Sequence, residues 1–482
     1  MRTLEILLLT ILALTLIKNP RSTAKSAERQ SLYLPALALL VFLLHAILEK
    51  TRWQMTPAYA LTACLVILTL AHFIFPGEWV TSKWCWGNTL GRFIGLFLAW
   101  LSLTAALIFS MIAPVFRMPA PSGMYPVGMQ DLYFVDNNRP ELFTPDPNDR
   151  RELMVRVWYP ADPASGASPQ PYWPEVDRVG PLILKRSNLP TFLLSHMDLV
   201  KSYSYLNAPL SGESSTFPVL VFSHGYGMDE YTRHQTQMEE LASHGYIVFS
   251  INHTYESMST VFPDGRIILA DARVFDASFR QEYGRLNLDD QLSVWVADAI
   301  FVLDQLEELN AGNVSNSFTG RLDMKRVGVF GMSFGGAMSA EVCLKDSRCK
   351  AGANMDGSQF GYVDFSAQHL KTPFLFFYNE RSEGMNDYIY TGVENWAYRV
   401  TIQGTTHASF TDTILWSPSM EYSSKFIPQQ FGPIDSQRMI EIQRAYLLAF
   451  FDRHLKGENT PFLDGPPGVF PEVDFQFRKQ SD

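Results

Sequence analysis

Cysteine is scarce in this chain. Four in 482 residues cannot hold together a disulfide-scaffolded domain, and no C-x-x-C pair or His/Cys cluster has zinc-site spacing. No metal or other cofactor is expected. Charge is thin as well: 18% of residues are charged against 47% hydrophobic, which excludes a disordered chain. A basic excess is missing. Lysine plus arginine number 39 and aspartate plus glutamate 49, a net charge of −10, so no nucleic-acid partner is expected. The imbalance is uneven. Residues 1–120 hold 10 basic and 4 acidic side chains, while the remainder is strongly acidic. Such asymmetry separates parts with different surroundings.

What the chain does have is long apolar runs. Leu4–Ile17, Leu32–Leu48, Ala58–Phe75 and Phe93–Phe116 are almost free of charge. A membrane-spanning helix needs about 20 apolar residues. The fourth run meets this, the second and third lie near the lower bound, and the first is short and holds Glu5. Residues 1–118 therefore read as a membrane region with three or four transmembrane helices. The first run also fits a signal-peptide core behind Arg2, although no small-residue cleavage site follows it. Core helices of a soluble domain would show polar faces, which these runs lack. Lys18, Arg21, Lys25, Arg29, Lys83 and Arg92 on one side outnumber Arg2, Lys50, Arg52 and Arg117 on the other. The more basic loops stay in the cytoplasm. An integral membrane protein with its C-terminal domain outside the cytoplasm is expected. Trp79, Trp84 and Trp86 fit an interfacial belt, and His45 and His72, near run ends, read as structural.

Pro119-Ala120-Pro121-Ser122-Gly123 breaks the last run, and residues 119–482 read as a single α/β domain. Gln130–Val135 and Leu153–Tyr159 alternate apolar and polar residues around a turn-rich stretch, which predicts a hairpin. Pro160–Phe217 has little periodicity. Beyond it, short apolar strands at Val219–Phe222, Tyr246–Ile251, Val327–Phe330, Ala351–Met355, Phe374–Tyr378 and Arg399–Gln403 alternate with helical patterns at Met238–Ser243, Leu292–Leu309, Ala337–Leu344 and Met439–Leu455. This order predicts βαβ units around a mostly parallel sheet.

The chemistry concentrates in one turn. Val327–Phe330 is followed by Gly331-Met332-Ser333-Phe334-Gly335, a G-x-S-x-G between strand and helix. The glycines allow a turn sharp enough to push the serine oxygen out at the carboxyl end of the sheet. A serine hydroxyl needs an adjacent base to act as a nucleophile. The expected chain order is serine, acid, histidine. Two histidines follow Ser333. His407 lies just past the last parallel strand, whereas His369 precedes a strand and reads as surface. Two carboxylates compete as the acid, Asp356 and Glu380, each ending a strand after the serine helix. The oxyanion hole is assigned to the backbone N–H groups of Phe334 and of Tyr226, in His224-Gly225-Tyr226-Gly227 directly after a strand. His224 reads as a structural residue of that loop.

Several segments together resemble the type II, plasma-type platelet-activating-factor acetylhydrolases. They are Tyr125-Pro126-Val127-Gly128, Val157-Trp158-Tyr159-Pro160, Pro218–Gly225, Ala242–Val248, Ser333-Phe334-Gly335-Gly336, Asp356 and Thr401–His407. Motif order and spacing agree over about residues 124–457. The resemblance implies an α/β-hydrolase fold, a metal-free Ser333-Asp356-His407 triad in place of the Glu380 alternative, and Tyr226 as second oxyanion donor. The chain departs from the family in its apolar N-terminal region, since plasma-type members are secreted, and in Met332, where the family carries histidine. Cys343 and Cys349 are spaced for a disulfide, which fits an oxidising compartment.

The expectation is a membrane-anchored serine carboxylic ester hydrolase acting on a small-molecule or lipid ester. Short-chain acyl esters of phospholipids are the implied substrates. A peptidase or amidase on the same scaffold, or a non-catalytic ligand-binding membrane protein, are the alternatives.

Overall fold

The computed structural model describes residues 1–17, 25–74, 89–227, 230–271, 287–313, 316–416, 431–465 and 468–479. Lys18, Arg21 and Lys83 of the orientation count, and Trp79, Trp84 and Trp86 of the expected interfacial belt, lie outside them. The chain forms two compact units. One is built mainly from Met1–Phe116 and Val176–Val200, the other mainly from Arg117–Glu175 and Lys201–Leu415 with the C-terminal residues.

Four helices carry the apolar runs of the first unit: α1 (Thr3–Ile17), α2 (Lys25–Leu48), α3 (Thr56–Ile74) and α4 (Thr89–Ile112). They meet along a seam of Leu8, Leu12, Ala38, Met55, Ala58 and Ala106, all buried. Two stretches among the described residues are long and apolar enough to cross a membrane, Trp53–Ala71 and Phe93–Ile112. This corrects the expected count of three or four. With 15 residues at 1.5 Å each, α1 reaches about 22 Å, short of a hydrocarbon core of about 30 Å. The apolar part of α2 is only Tyr33–Leu48, because its first turns are polar. One end of the four helices is tied by polar groups. Arg52 donates to the Glu5 carboxylate at 2.6 and 2.8 Å and to the Ala113 carbonyl at 3.1 Å. His45 bridges Glu49 at 3.0 Å and the Tyr59 hydroxyl at 2.6 Å. Val176–Val200, within the stretch Pro160–Phe217 of little periodicity, contains helix α5 (Val176–Arg186) with Pro181 inside it. Its following turn meets the helices where Trp53 donates to the Leu193 carbonyl at 3.2 Å.

The second unit is organised by a ten-stranded sheet. In chain order its strands are β1 (Val127–Pro140), β2 (Arg150–Pro160), β3 (Ser204–Leu206), β4 (Phe217–Ser223), β5 (Ile247–Asn252), β8 (Leu322–Met332), β9 (Cys349–Met355), β10 (Phe374–Asn379), β11 (Trp396–Ile402) and β12 (Val473–Lys479). The spatial order is β12-β11-β10-β9-β8-β4-β5-β2-β1-β3, and β5, β4 and β8 to β11 are mutually parallel. A separate ribbon pairs β6 (Ser259–Val261) with β7 (Ile267–Leu269). β4, β5 and β10 are buried at every position, which explains their unbroken apolar runs. The β1–β2 hairpin is antiparallel, as its alternation predicted. β12 pairs antiparallel with β11 at the sheet's edge and was not anticipated.

Helices α6 (Gln235–Ser243), α7 (Leu288–Ala311), α8 (Phe334–Lys345), α9 (Asp387–Gly392) and α10 (Ser436–Phe451) complete this unit. From β4 the chain crosses through α6 to β5 on one side, and β8 lies on the other side of β4. The strand order thus reverses at β4. In open α/β sheets the crevice outside the carboxyl ends at such a reversal is where ligands bind. Ser223 ends β4 and Met332 ends β8 at that point, with Ser223 paired to Gly331.

Candidate active site

Ser333 follows β8 with φ 55° and ψ −116°, a strained conformation for a residue with a side chain. Its N–H donates to the Met355 carbonyl at 2.8 Å, so β9 holds the turn in place. Tight packing makes the flanking glycines obligatory. A Cβ on Gly331 would lie 2.3 Å from the Gly335 carbonyl, and one on Gly335 would lie 2.1 Å from the Ser223 oxygen. Helix α8 begins at Phe334, whose N–H belongs to the first turn that a helix leaves without an internal partner.

Asp356 follows β9 with φ 58° and is almost fully buried. Its N–H donates to Phe377 in β10 at 3.0 Å. Its carboxylate accepts from His407 Nδ1 at 2.6 Å, from the Asn379 N–H at 3.0 Å, from the Asn379 carboxamide at 3.0 and 2.8 Å, and from the Ser382 hydroxyl. His407 opens a short 3-10 turn past β11. Thr406 and Ser409 cap this turn reciprocally, and the Thr405 hydroxyl donates back to Ile402 at 2.6 Å. Its Nε2 stands 2.9 Å from Ser333 Oγ. The structure therefore brings Ser333, His407 and Asp356 into one hydrogen-bonded chain, from three loops at the carboxyl edge. The imidazole is half-exposed, at 53%, so the hydrogen-bonded chain opens to solvent at His407.

The other sequence candidates fall elsewhere. Glu380 is exposed and accepts from the Gly404 N–H at 3.0 Å, so it ties the end of β10 to the loop leading to His407 rather than to the imidazole. His369 lies beside Gly392 of α9. Tyr226 and Phe334 are neighbours, with ring centroids 5.1 Å apart. Asn379 and Ser382, which surround Asp356, were missed by sequence reading. Their only signal was their place at the end of β10. Cys343, late in α8, and Cys349, at the start of β9, are joined by a disulfide. Among the described residues no cluster of histidine, cysteine or carboxylate side chains could hold a metal.

The turn that follows the one bearing His407, Asp412–Leu415, is anchored by a buried carboxylate. Asp412 accepts from the Thr236 N–H at 3.0 Å and from its hydroxyl, joining this following turn to α6. Burial pushes the Asp412 carboxyl up to about 7 despite those hydrogen bonds.

The family described as platelet-activating factor acetylhydrolase, isoform II, matches residues 111–461. A protein of Arthroderma benhamiae named a probable 1-alkyl-2-acetylglycerophosphocholine esterase is 23% identical over 402 residues, 78% of this chain and 97% of its own. A platelet-activating factor acetylhydrolase of Cavia porcellus is 24% identical over 367 residues, 70% of this chain and 78% of its own. Among solved structures, a ferulic acid esterase from Streptomyces cinnamoneus is similar with a TM-score of 0.62 at 29% identity, covering 75% of this chain and 99% of its own.

Gly335→Ala is expected to lower ester turnover about 10²-fold, because its methyl group meets backbone rather than a flexible side chain and must displace the elbow. Steady-state kinetics with a chromogenic acetate ester checks this. Asp412 gives a pH prediction. Its pKa is raised on folding, so its contribution to stability is complete below about 4, its unfolded value, and is lost as pH rises through about 7. Melting temperature should fall between pH 5 and 8 more steeply in the native protein than in Asp412→Asn. Equal slopes would show that Asp412 does not carry this dependence.

Proposed function

The chain belongs to the platelet-activating factor acetylhydrolase isoform II family and is a carboxylic ester hydrolase; from that premise we propose that it cleaves short-chain acyl esters of phospholipids through a Ser333-His407-Asp356 triad. The observation that carries this reading is the unbroken chain of 2.9 and 2.6 Å contacts from Ser333 Oγ through His407 to Asp356.

In this mechanism Ser333 Oγ attacks the ester carbonyl carbon while its proton passes to His407 Nε2. Asp356 keeps the other ring nitrogen protonated and stabilises the imidazolium that forms. The carbonyl oxygen becomes an oxyanion facing the backbone N–H groups of Phe334 and Tyr226. Such donors act strongly because they are already in place when charge develops. His407 then protonates the leaving alcohol, and the acyl group remains on Ser333. A water molecule, deprotonated by His407, attacks that acyl group; the bond to Ser333 Oγ breaks as His407 returns the proton to Oγ, and the carboxylic acid is released.

We further read the first unit as a membrane anchor. Trp53–Ala71 and Phe93–Ile112 have the length and composition to span, and an anchored esterase meets lipid esters at high local concentration. The Cys343–Cys349 disulfide favours a catalytic domain outside the cytoplasm, since disulfides persist in oxidising compartments.

Ser333→Ala should lose about 10³-fold or more in kcat and all covalent labelling by a fluorophosphonate. Asp356→Asn should lose about 10³–10⁴-fold by favouring the wrong imidazole tautomer. Glu380→Gln should stay within about twofold, as an exposed side chain away from the imidazole. An inactive Glu380→Gln beside an active Asp356→Asn would reverse the assignment. For the anchor, protease added to intact cells, or to spheroplasts where there is an outer envelope, should cut the C-terminal domain without opening the inner membrane. Protection until that membrane is permeabilised would place the domain in the cytoplasm.

A further inference from the structure

A second serine-histidine-aspartate chain lies behind the loop that carries Tyr226. Ser223 Oγ is 3.0 Å from His253 Nε2, and His253 Nδ1 is 2.8 Å from Asp298 Oδ2. All three residues have no solvent exposure, so no ester can reach Ser223. Ser223 ends β4, His253 is the first residue past β5, and Asp298 sits on α7. The three are up to 75 residues apart in the chain and meet only through the fold.

The protonation pattern of this chain is fixed by its surroundings. Burial alone would raise the Asp298 carboxyl. The Arg151 guanidinium, at 3.2 and 2.7 Å, and the His253 hydrogen bond outweigh it and hold the carboxyl well below the usual range. Arg139 adds a second cation 2.8 Å away. Burial pushes the His253 imidazole down to about 4 in spite of Asp298. His253 is therefore neutral, donating to Asp298 through Nδ1 and accepting the Ser223 hydroxyl at Nε2. Trp295, one turn from Asp298 on α7, stacks flat on the His253 ring at 3.7 Å and meets Phe334 edge-on at 4.9 Å.

From this buried chain the contacts lead into the oxyanion loop. The His253 N–H donates to His224 Nε2 at 3.3 Å, and His224 Nδ1 lies 2.6 Å from the Gly225 carbonyl. The His224 carbonyl accepts the Gly335 N–H of the nucleophile helix at 3.2 Å. At the far end of the loop, the Gly227 N–H donates to the Glu256 carbonyl at 2.8 Å, and Glu256 turns back onto the His253 carbonyl at 3.0 Å. One tight turn, His253–Ser257, thus grips the 223–227 loop at both ends.

We propose that His253, oriented by Asp298, is a positioning residue for ester hydrolysis that holds the 223–227 loop so that the Tyr226 N–H meets the developing oxyanion. This rests on the esterase reading of the same site. It assigns to the loop after β5 a part in catalysis although none of its side chains touches the reacting atoms.

The test uses the full-length protein in detergent, a chromogenic acetate ester, and a trifluoromethyl ketone. Addition of Ser333 Oγ to the ketone carbon passes the serine proton to His407 and leaves negative charge on the ketone oxygen, the geometry the loop is held to receive. His253→Phe keeps a ring on Trp295 but deletes both ring hydrogen bonds. It should lower kcat about 10²-fold with KM within about twofold, and weaken the ketone in proportion to the loss in kcat/KM. His253→Gln, which retains an acceptor for Ser223, should recover most of the loss. Where His253→Phe does not fold, Ser223→Ala removes one hydroxyl and should show the same pattern at about tenfold. Variants that fold and keep native kcat overturn the inference. So do variants that lose kcat while binding the ketone normally, or that lose it equally in His253→Phe and His253→Gln. A native protein that neither turns over the ester nor binds the ketone would instead sink the esterase reading, and this proposal with it.

Discussion

The close approach of two backbone segments at the reversal of strand order governs the site. Gly335, at the start of α8, leaves room for no side-chain atom against the Ser223 carbonyl, and its N–H donates to the His224 carbonyl. That contact joins the loop after β4 to the loop after β8. It is possible only because β4 and β8 are neighbours in parallel register and end level with one another. Ser333 is held at positive φ by the same crowding and by its hydrogen bond to β9. The strain is offset by the surrounding sheet rather than within the turn.

The two serine-histidine-aspartate chains show how environment sets chemistry. Their residue types and distances are nearly the same. His407 is half-exposed on a loop, with its Nε2 2.9 Å from Ser333 Oγ. His253 is sealed between Trp295 and β4, with its aspartate paired to Arg151. Buried ion pairs carry a large desolvation cost and are weak evidence for stability. Fixing the tautomer of His253, and through it the direction of the Ser223 hydroxyl, gives this one a geometric role.

The first unit has a division of labour of its own. Its helices meet through small and aliphatic side chains, and polar groups gather at one end, where Glu5, Arg52, His45, Glu49 and Tyr59 satisfy one another. That placement explains how Glu5 and His45 are tolerated in apolar runs: each has a partner supplied by another helix or the next turn. Such satisfaction is required wherever water is excluded.

Much of this was legible in the residues themselves. Apolar runs of the right length marked the buried parallel strands, alternation marked the β1–β2 hairpin, and glycines around Ser333 marked the elbow, because each is a local consequence of backbone geometry. β12 carries a short alternation, Val473, Phe475 and Phe477, at the sheet's edge, while Pro181 masks α5 inside an irregular stretch. The acid could not be chosen from pattern. Asp356 and Glu380 end adjacent strands about 4.8 Å apart, and either could in principle approach one imidazole. In the folded loops Asp356 meets His407 while Glu380 meets the Gly404 N–H, a partition that only the tertiary structure makes visible. The Ser223-His253-Asp298 chain was equally invisible, since its members lie 30 and 45 residues apart on two strand ends and a helix. Local sequence determined which segments became strands, helices and the elbow, because those depend on neighbours along the chain. Partner choice among distant polar side chains was decided by the tertiary structure, because it depends on which strand ends the sheet order brings together.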